Sequence, residues 1–114
     1  MKTIHELMAL KGRVAAITGG AGYLGQAFAE TLAELGADLV LIDLQEEACA
    51  EVVSRLQQTY SVQVSVLALD LEQEAEVLSI SDYIQQKYGR LDILINNSAF
   101  VGNSNLTGWA TSFE

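Results

Sequence analysis

The segment TGGAGYLG (residues 18–25) holds four glycines within seven positions, spaced as Thr18-Gly19-x-x-Gly22-x-x-Gly25. Glycine lets a backbone approach a ligand closely, and the N–H groups at the start of a helix attract phosphate. A short apolar run precedes the glycines and an amphipathic segment follows them. The segment therefore predicts a pyrophosphate cradle between a strand and a helix. The alternative is a tight strand-to-helix turn that binds nothing.

An acidic residue follows at the distance typical of ribose recognition. Asp43 lies 18 residues after Gly25, close to the ~20-residue offset of the acid that accepts ribose hydroxyls. Capping of the helix predicted from residue 45 is the alternative role, and the two roles are compatible. Neither DLQEE (43–47) nor AGYLG (21–25) contains Lys or Arg, so a ribose 2′-phosphate would be repelled by the carboxylate. NAD is therefore favoured over NADP.

Strand-like and helix-like segments alternate along the chain. Strands are predicted over 13–18, 37–43, 62–70 and 91–96, and helices over 24–35, 45–59 and 72–88. Strands that are apolar on both faces are typical of a parallel sheet covered by helices on both sides. The sequence thus predicts an α/β fold, the β-α-β-α-β-α-β portion of a Rossmann-type doubly wound sheet in strand order 3-2-1-4. The stripe predicted to be buried on the first helix consists of Leu24, Phe28, Leu32 and Leu35, and that on the third consists of Val77, Ile80 and Ile84.

The composition excludes several classes of function. With 6 basic and 15 acidic residues the net charge is −9, which argues against nucleic acid or an anionic membrane as a partner. Cys49 and His5 are the only residues of their types, so no disulfide framework or cysteine-based metal site is expected, and Cys49 is predicted to be a small buried hydrophobe. The stretch MKTIHELMALKGR (1–13) carries no long apolar run. It predicts neither a signal peptide nor a membrane helix, and a cytoplasmic protein is expected.

Taken together, Thr18-Gly19…Gly25, Asp43 after the second strand, Asp70-Leu71 after the third and LDILINNSA (91–99) resemble the N-terminal portion of a short-chain dehydrogenase/reductase. The resemblance implies hydride transfer between a nicotinamide cofactor and a small alcohol or carbonyl substrate, with this segment supplying the cofactor-binding half. It implies that Asp70 and Leu71 contact the adenine, and that Asn96 and its neighbours border the adenosine ribose and steady the sheet. The cofactor-binding residues implied are Thr18, Gly19, Gly22, Tyr23, Leu24, Gly25, Asp43, Leu44, Asp70, Leu71, Asn96, Asn97 and Ser98. A homo-oligomer is expected of the full-length protein.

The resemblance has departures that keep alternatives open. Tyr23 stands where the common single-domain branch of the family has its second glycine, and Gly22 resembles the spacing of the extended, sugar-nucleotide-modifying branch. The Asn96-Asn97 pair favours the single-domain branch. The alternatives are a nucleotide-sugar epimerase or dehydratase of the extended branch, and a non-catalytic dinucleotide-binding regulatory module.

No catalytic residue is assigned from the sequence. Tyr83 and Lys87 match the Tyr-x-x-x-Lys spacing of the family's catalytic pair, but their predicted helix precedes the fourth strand, whereas the family's pair follows the Asn-Asn segment. Residues 1–114 are interpreted as the N-terminal part of a single dinucleotide-binding domain that continues beyond them, with the catalytic groups further on. The unpaired apolar strand at 91–96 predicts that these residues alone associate.

Overall fold

The structure, a computed structural model, describes residues 1–97. All seven predicted elements are present, with ends that differ by up to two residues. A short helix that the sequence analysis did not predict precedes them. The elements are α1 (Ile4–Met8), β1 (Val14–Thr18), α2 (Tyr23–Glu34), β2 (Asp38–Asp43), α3 (Glu46–Thr59), β3 (Val64–Ala68), α4 (Glu74–Lys87) and β4 (Ile93–Asn96).

The four strands form one parallel sheet in the order β3-β2-β1-β4. Central β1 pairs with β2 from Val14↔Asp38 to Thr18↔Ile42, and it pairs with β4 up to Thr18↔Asn96. The predicted fold class and strand order are therefore confirmed. Because all strands run the same way, their carboxyl ends meet at one edge of the sheet, which is where doubly wound folds bind ligands.

Alternate residues of the central strands enter two separate cores. Ala15 and Ile17 of β1 belong to the core under α2 and α3, which also buries Cys49 and Leu56. Their neighbours in the strand belong to the core under α4, where Ile84 is buried. Because successive side chains of β1 point to opposite faces, the sheet has a core and covering helices on both faces.

The prediction for the buried face of α2 is wrong for Leu24 and Phe28, whereas Leu32 is partly buried and packs against the core. Leu24 is 57% and Phe28 36% exposed, and the residues that face the sheet are Gly25, Ala29 and Ala33. Small side chains at this spacing let the helix lie close to β1 and β2, where a row of large residues would hold it away.

The stripe on α4 is confirmed in part. Ile84 is buried and Ile80 packs against its core, but Val77 is 39% exposed. A groove of about 510 Å³ remains between α4 and β4, bordered by Val77 and by Leu94, which is 60% exposed. Within residues 1–97, β4 pairs with β1 alone.

Charged side chains hold the amino ends of β1 and β4 together. The Asp92 carboxylate accepts hydrogen bonds from Arg90 at 2.6 Å and from Arg13 at 3.3 Å. It also accepts the backbone N–H of Val14 at 2.9 Å. Arg90, then the Val14 amide and Arg13, hold the pKa of Asp92 well below its ordinary value. The ionised form is therefore the one that this cluster stabilises.

No helix within residues 1–97 is long and apolar enough to cross a membrane. The same residues contain no group of three or more His, Cys, Asp or Glu side chains that could hold a metal ion.

Candidate cofactor-binding site

The backbone between β1 and α2 forms a tight loop, residues 19–22, called the glycine loop below. Gly19 has a φ of 67°, a left-handed conformation that glycine adopts without strain. Its N–H donates to the carbonyl oxygen of Ile42 at 2.8 Å, and Gly22 N–H donates to the carbonyl oxygen of Gly19 at 3.1 Å. The first bond continues the pairing of β1 with β2, and the second closes the turn that leads into α2.

Two glycines of this segment are required by close packing. A Cβ at Gly25 would overlap the carbonyl group of Gly19, so the first turn of α2 lies directly against the loop. A Cβ at Gly20 would lie 2.9 Å from the Cβ of Leu41. The sequence pattern identified Gly25, but it did not single out Gly20, whose need for space depends on a neighbouring strand.

The start of α2 offers donors to an anion. Its N-cap is Gly22, and no side chain caps the helix. The first N–H groups of a helix have no intrahelical partner. Tyr23 and Leu24, in this first turn, are 92% and 57% exposed. Their amides and the positive end of the helix dipole form the type of site that binds phosphate.

Asp43 lies at the carboxyl end of β2 and contacts the glycine loop directly. Its Oδ2 accepts the N–H of Ala21 at 3.1 Å, and its Oδ1 accepts the N–H of Gln45 at 3.2 Å. The carboxylate therefore joins the loop to the segment that enters α3. The capping role considered for Asp43 is not observed, because Gln45 is the N-cap of α3 and no side chain within residues 1–97 caps the helix. Leu44 beside Asp43 is 67% exposed.

Thr18 and the two asparagines join β1 to β4 at the same edge. The Thr18 hydroxyl donates to Asn96 Oδ1 at 3.2 Å and accepts the N–H of Asn97 at 2.8 Å. The Asn97 side chain donates to the carbonyl oxygen of Gly19 at 3.5 Å. These contacts fit the expected role of the asparagines in steadying the sheet. Ser98 lies outside the described residues.

Asp70 and Leu71 follow β3 at this edge. The N–H of Leu69 donates to the carbonyl oxygen of Asp43 at 3.0 Å, which places the two acidic loops side by side. The Asp70 carboxylate accepts the N–H of Glu72 at 2.9 Å. Leu71 packs against the core under α4. The structure thus brings the described members of the predicted site to one edge of the sheet.

Two polar residues beside the glycine loop were not predicted from the sequence. Gln26, in the first turn of α2, donates from Nε2 to the carbonyl oxygen of Ala21 at 2.8 Å. Arg55 of α3 donates to Gln26 Oε1 at 3.4 Å. The position of Gln26 directly after Gly25 was the available signal, because a side chain in the first turn can reach back to the preceding loop.

Tyr83 and Lys87 do not belong to this edge. Tyr83 packs against the core under α4, and the Lys87 ammonium lies 5.8 Å from the centre of its ring. Since α4 begins at the carboxyl edge and ends at Lys87, both residues lie in the half of the helix that leads away from the glycine loop.

The family model for short chain dehydrogenase matches residues 13–111. An uncharacterized oxidoreductase of Bacillus subtilis, YxjF, is 37% identical over 89 residues, which are 78% of this chain and 34% of the relative. The NADPH and L-sorbose complex of L-sorbose reductase from Gluconobacter frateurii superposes with a TM-score of 0.79 at 31% identity, over 92% of this chain and 39% of the reductase. NAD⁺-bound xylitol dehydrogenase superposes with a TM-score of 0.76 at 28% identity, over 80% and 35% respectively.

A doubly wound sheet with a glycine loop at its carboxyl edge defines a nucleotide-binding Rossmann fold. The chain belongs to the short-chain dehydrogenase family, because the family model matches most of it. It spans between 34% and 43% of the length of the first curated relatives that it matches.

Proposed function

We propose that this chain binds NAD(H) and forms the cofactor-binding half of an oxidoreductase that acts on a small alcohol or carbonyl compound. The observation that carries the proposal is the contact between Asp43 Oδ2 and Ala21 N–H at 3.1 Å. The Asp43 carboxylate lies beside the start of α2, and in this proposal it binds the ribose while the helix start binds the phosphates. The names of two similar structures support the reaction class, since one is a polyol dehydrogenase and the other a sugar reductase.

The residues at the edge of the sheet fit a dinucleotide. The close packing at Gly25 brings the uncapped start of α2 against the glycine loop, where its amides would hold the pyrophosphate. Asp43 would accept the adenosine ribose hydroxyls, and Asp70 and Leu71 would border the adenine. The bound nicotinamide would supply the hydride chemistry, while the protein orients it.

The preference for NAD rests on charge. At ~4 Å and a surface dielectric, two like unit charges repel by about 4 kcal/mol before relaxation, so Asp43 disfavours a ribose 2′-phosphate. Arg55 brings a cation near the loop, where it donates to Gln26 at 3.4 Å, and among the described residues it contacts the loop only through that side chain. The carboxylate contacts the loop itself, and we therefore assign the preference to Asp43.

The test is calorimetric titration of the 114-residue chain with NAD, NADP and ADP-ribose. We expect NAD to bind at least about tenfold more tightly than NADP, well within the repulsion given above. Asp43→Ala should weaken NAD binding and bring the two affinities close together. Asp38→Ala is the matched control, because Asp38 lies at the other end of β2 and accepts only the N–H of Gln63 among its described contacts.

Equal or tighter binding of NADP by the parent chain would contradict the NAD preference. Failure of all three nucleotides to bind would contradict the proposed function.

A further inference from the structure

Ala21 is fixed on both sides within the glycine loop. Its N–H donates to Asp43 Oδ2 at 3.1 Å, and its carbonyl oxygen accepts from Gln26 Nε2 at 2.8 Å. These two groups belong to successive peptide units that meet at the Cα of Ala21. Holding both units restricts φ and ψ of this residue together, and hence the direction in which the N–H points.

Arg55 supports the orientation of the Gln26 amide in which the NH₂ end faces the loop. A carbonyl oxygen can accept only from the NH₂ end of a glutamine amide. The guanidinium of Arg55 donates to the opposite end, Oε1, at 3.4 Å. With a donor on one side and an acceptor on the other, a single orientation of the amide satisfies both contacts.

We infer that Gln26 is a positioning residue for Asp43. With its amide oriented by Arg55, it holds Ala21 in the conformation in which the Ala21 N–H reaches the carboxylate, and so directs that carboxylate towards the adenosine ribose. The inference rests on the proposed function for the role of the ribose, and on the contacts of Ala21 and Gln26 for the hydrogen bonds. Gln26 acts through Ala21 and Asp43, and contact with the cofactor is no part of its role.

The first measurement needs no cofactor. Gln26→Met keeps nearly the same length and removes both hydrogen bonds. We expect amide hydrogen exchange at Ala21 to accelerate by about threefold to tenfold, the range that corresponds to losing one ordinary hydrogen bond. Gln58→Met is the matched control, because Gln58 and Gln26 both line a groove between α2 and α3, but Gln58 donates to Ser54 of its own helix. Exchange at Ala21 should be unchanged in that variant.

The second measurement is a double-mutant cycle on NAD affinity. Gln26→Met should weaken NAD binding by about threefold to tenfold in the parent chain. It should have no further effect in Asp43→Ala, because the group that it positions is then absent. The unfolding midpoint of each variant is measured alongside, and the loss of affinity should persist at temperatures where every variant is folded.

Independent, additive losses in the cycle would overturn the inference, as would unchanged exchange at Ala21 in Gln26→Met. If the parent chain bound NAD and Gln26→Met bound it equally well, the inference would fail and the proposed function would stand. If the parent chain bound no nucleotide, the proposed function would fail, and the role in directing a ribose-binding carboxylate would fail with it.

Discussion

The two ends of β1 are held by different means. At the amino end, Asp92 gathers two arginine side chains and the Val14 amide in charge-assisted hydrogen bonds. At the carboxyl end, Thr18 and the glycine loop are held mostly by neutral and backbone hydrogen bonds, and the adjoining helix start has no side-chain cap. Donors available to a ligand therefore concentrate at the carboxyl end, while the ionic contacts of the amino end serve the sheet itself.

The largest loss of stability and of NAD affinity is expected from Gly25→Ala, which disturbs the packing at the carboxyl end of β1. The added methyl group would overlap the Gly19 carbonyl, so α2 or the loop must move. Overpacking of this kind costs about 1–3 kcal/mol of the free energy of unfolding, and NAD affinity should fall because the helix start is displaced. Urea unfolding and calorimetry measure the two effects.

Gly22→Ala provides the comparison within the same loop. Gly22 has a φ of −73°, which other residues adopt, and a Cβ there would lie 3.3 Å from the Gly19 carbonyl oxygen. Gly22→Ala should therefore lower the free energy of unfolding by less than Gly25→Ala does. Equal stability losses for the two substitutions would contradict the close packing argued for Gly25.

The next largest loss of stability is expected from Asp92→Asn, which removes the carboxylate charge at the amino end of β1. The folded-state pKa of Asp92 is lowered chiefly by Arg90, so its contribution to stability is present above the unfolded pKa of about 3.9 and is lost as the pH falls through the folded pKa. The variant should be less stable than the parent near pH 7, and the difference should shrink below about pH 4. Nucleotide affinity should not change.

Unfolding midpoints across this pH range measure that effect, with Asp82→Asn, an exposed position on α4, as the control. A difference that stays constant down to the lowest pH would contradict the ionic role of Asp92.

The smallest effect is expected from Tyr83→Phe, which touches neither end of β1. Tyr83 packs on the core under α4, and the phenyl ring preserves that packing. Measured in the intact protein, NAD affinity and dehydrogenase turnover should remain within about threefold of the parent, whereas removal of a general acid costs ~10²–10⁴-fold. A collapse of turnover with an unchanged unfolding midpoint would show that Tyr83 is catalytic.

Residue type and spacing predict which residues meet at the carboxyl end of β1. A glycine loop, an acid after β2 and an asparagine pair are local signals in a regular βαβ alternation. The contact between Gln26 and Arg55 was out of reach, since it joins residues 29 positions apart and depends on how two helices pack. The buried face of α2 was misjudged for a related reason. Hydrophobicity favoured leucine and phenylalanine, but the distance between helix and sheet selects alanine and glycine.

Cys49 lies on the face of α3 that is buried in the core, so its thiol can report when the fold opens. The thiol is fully buried, and desolvation together with the charges of Asp43 and Glu46 raises its pKa to about 11. Alkylating reagents attack the thiolate, so the folded chain should react very slowly at pH 8. Because Cys49 is the only cysteine in the sequence, each labelling event would record one molecule in which α3 has left the sheet.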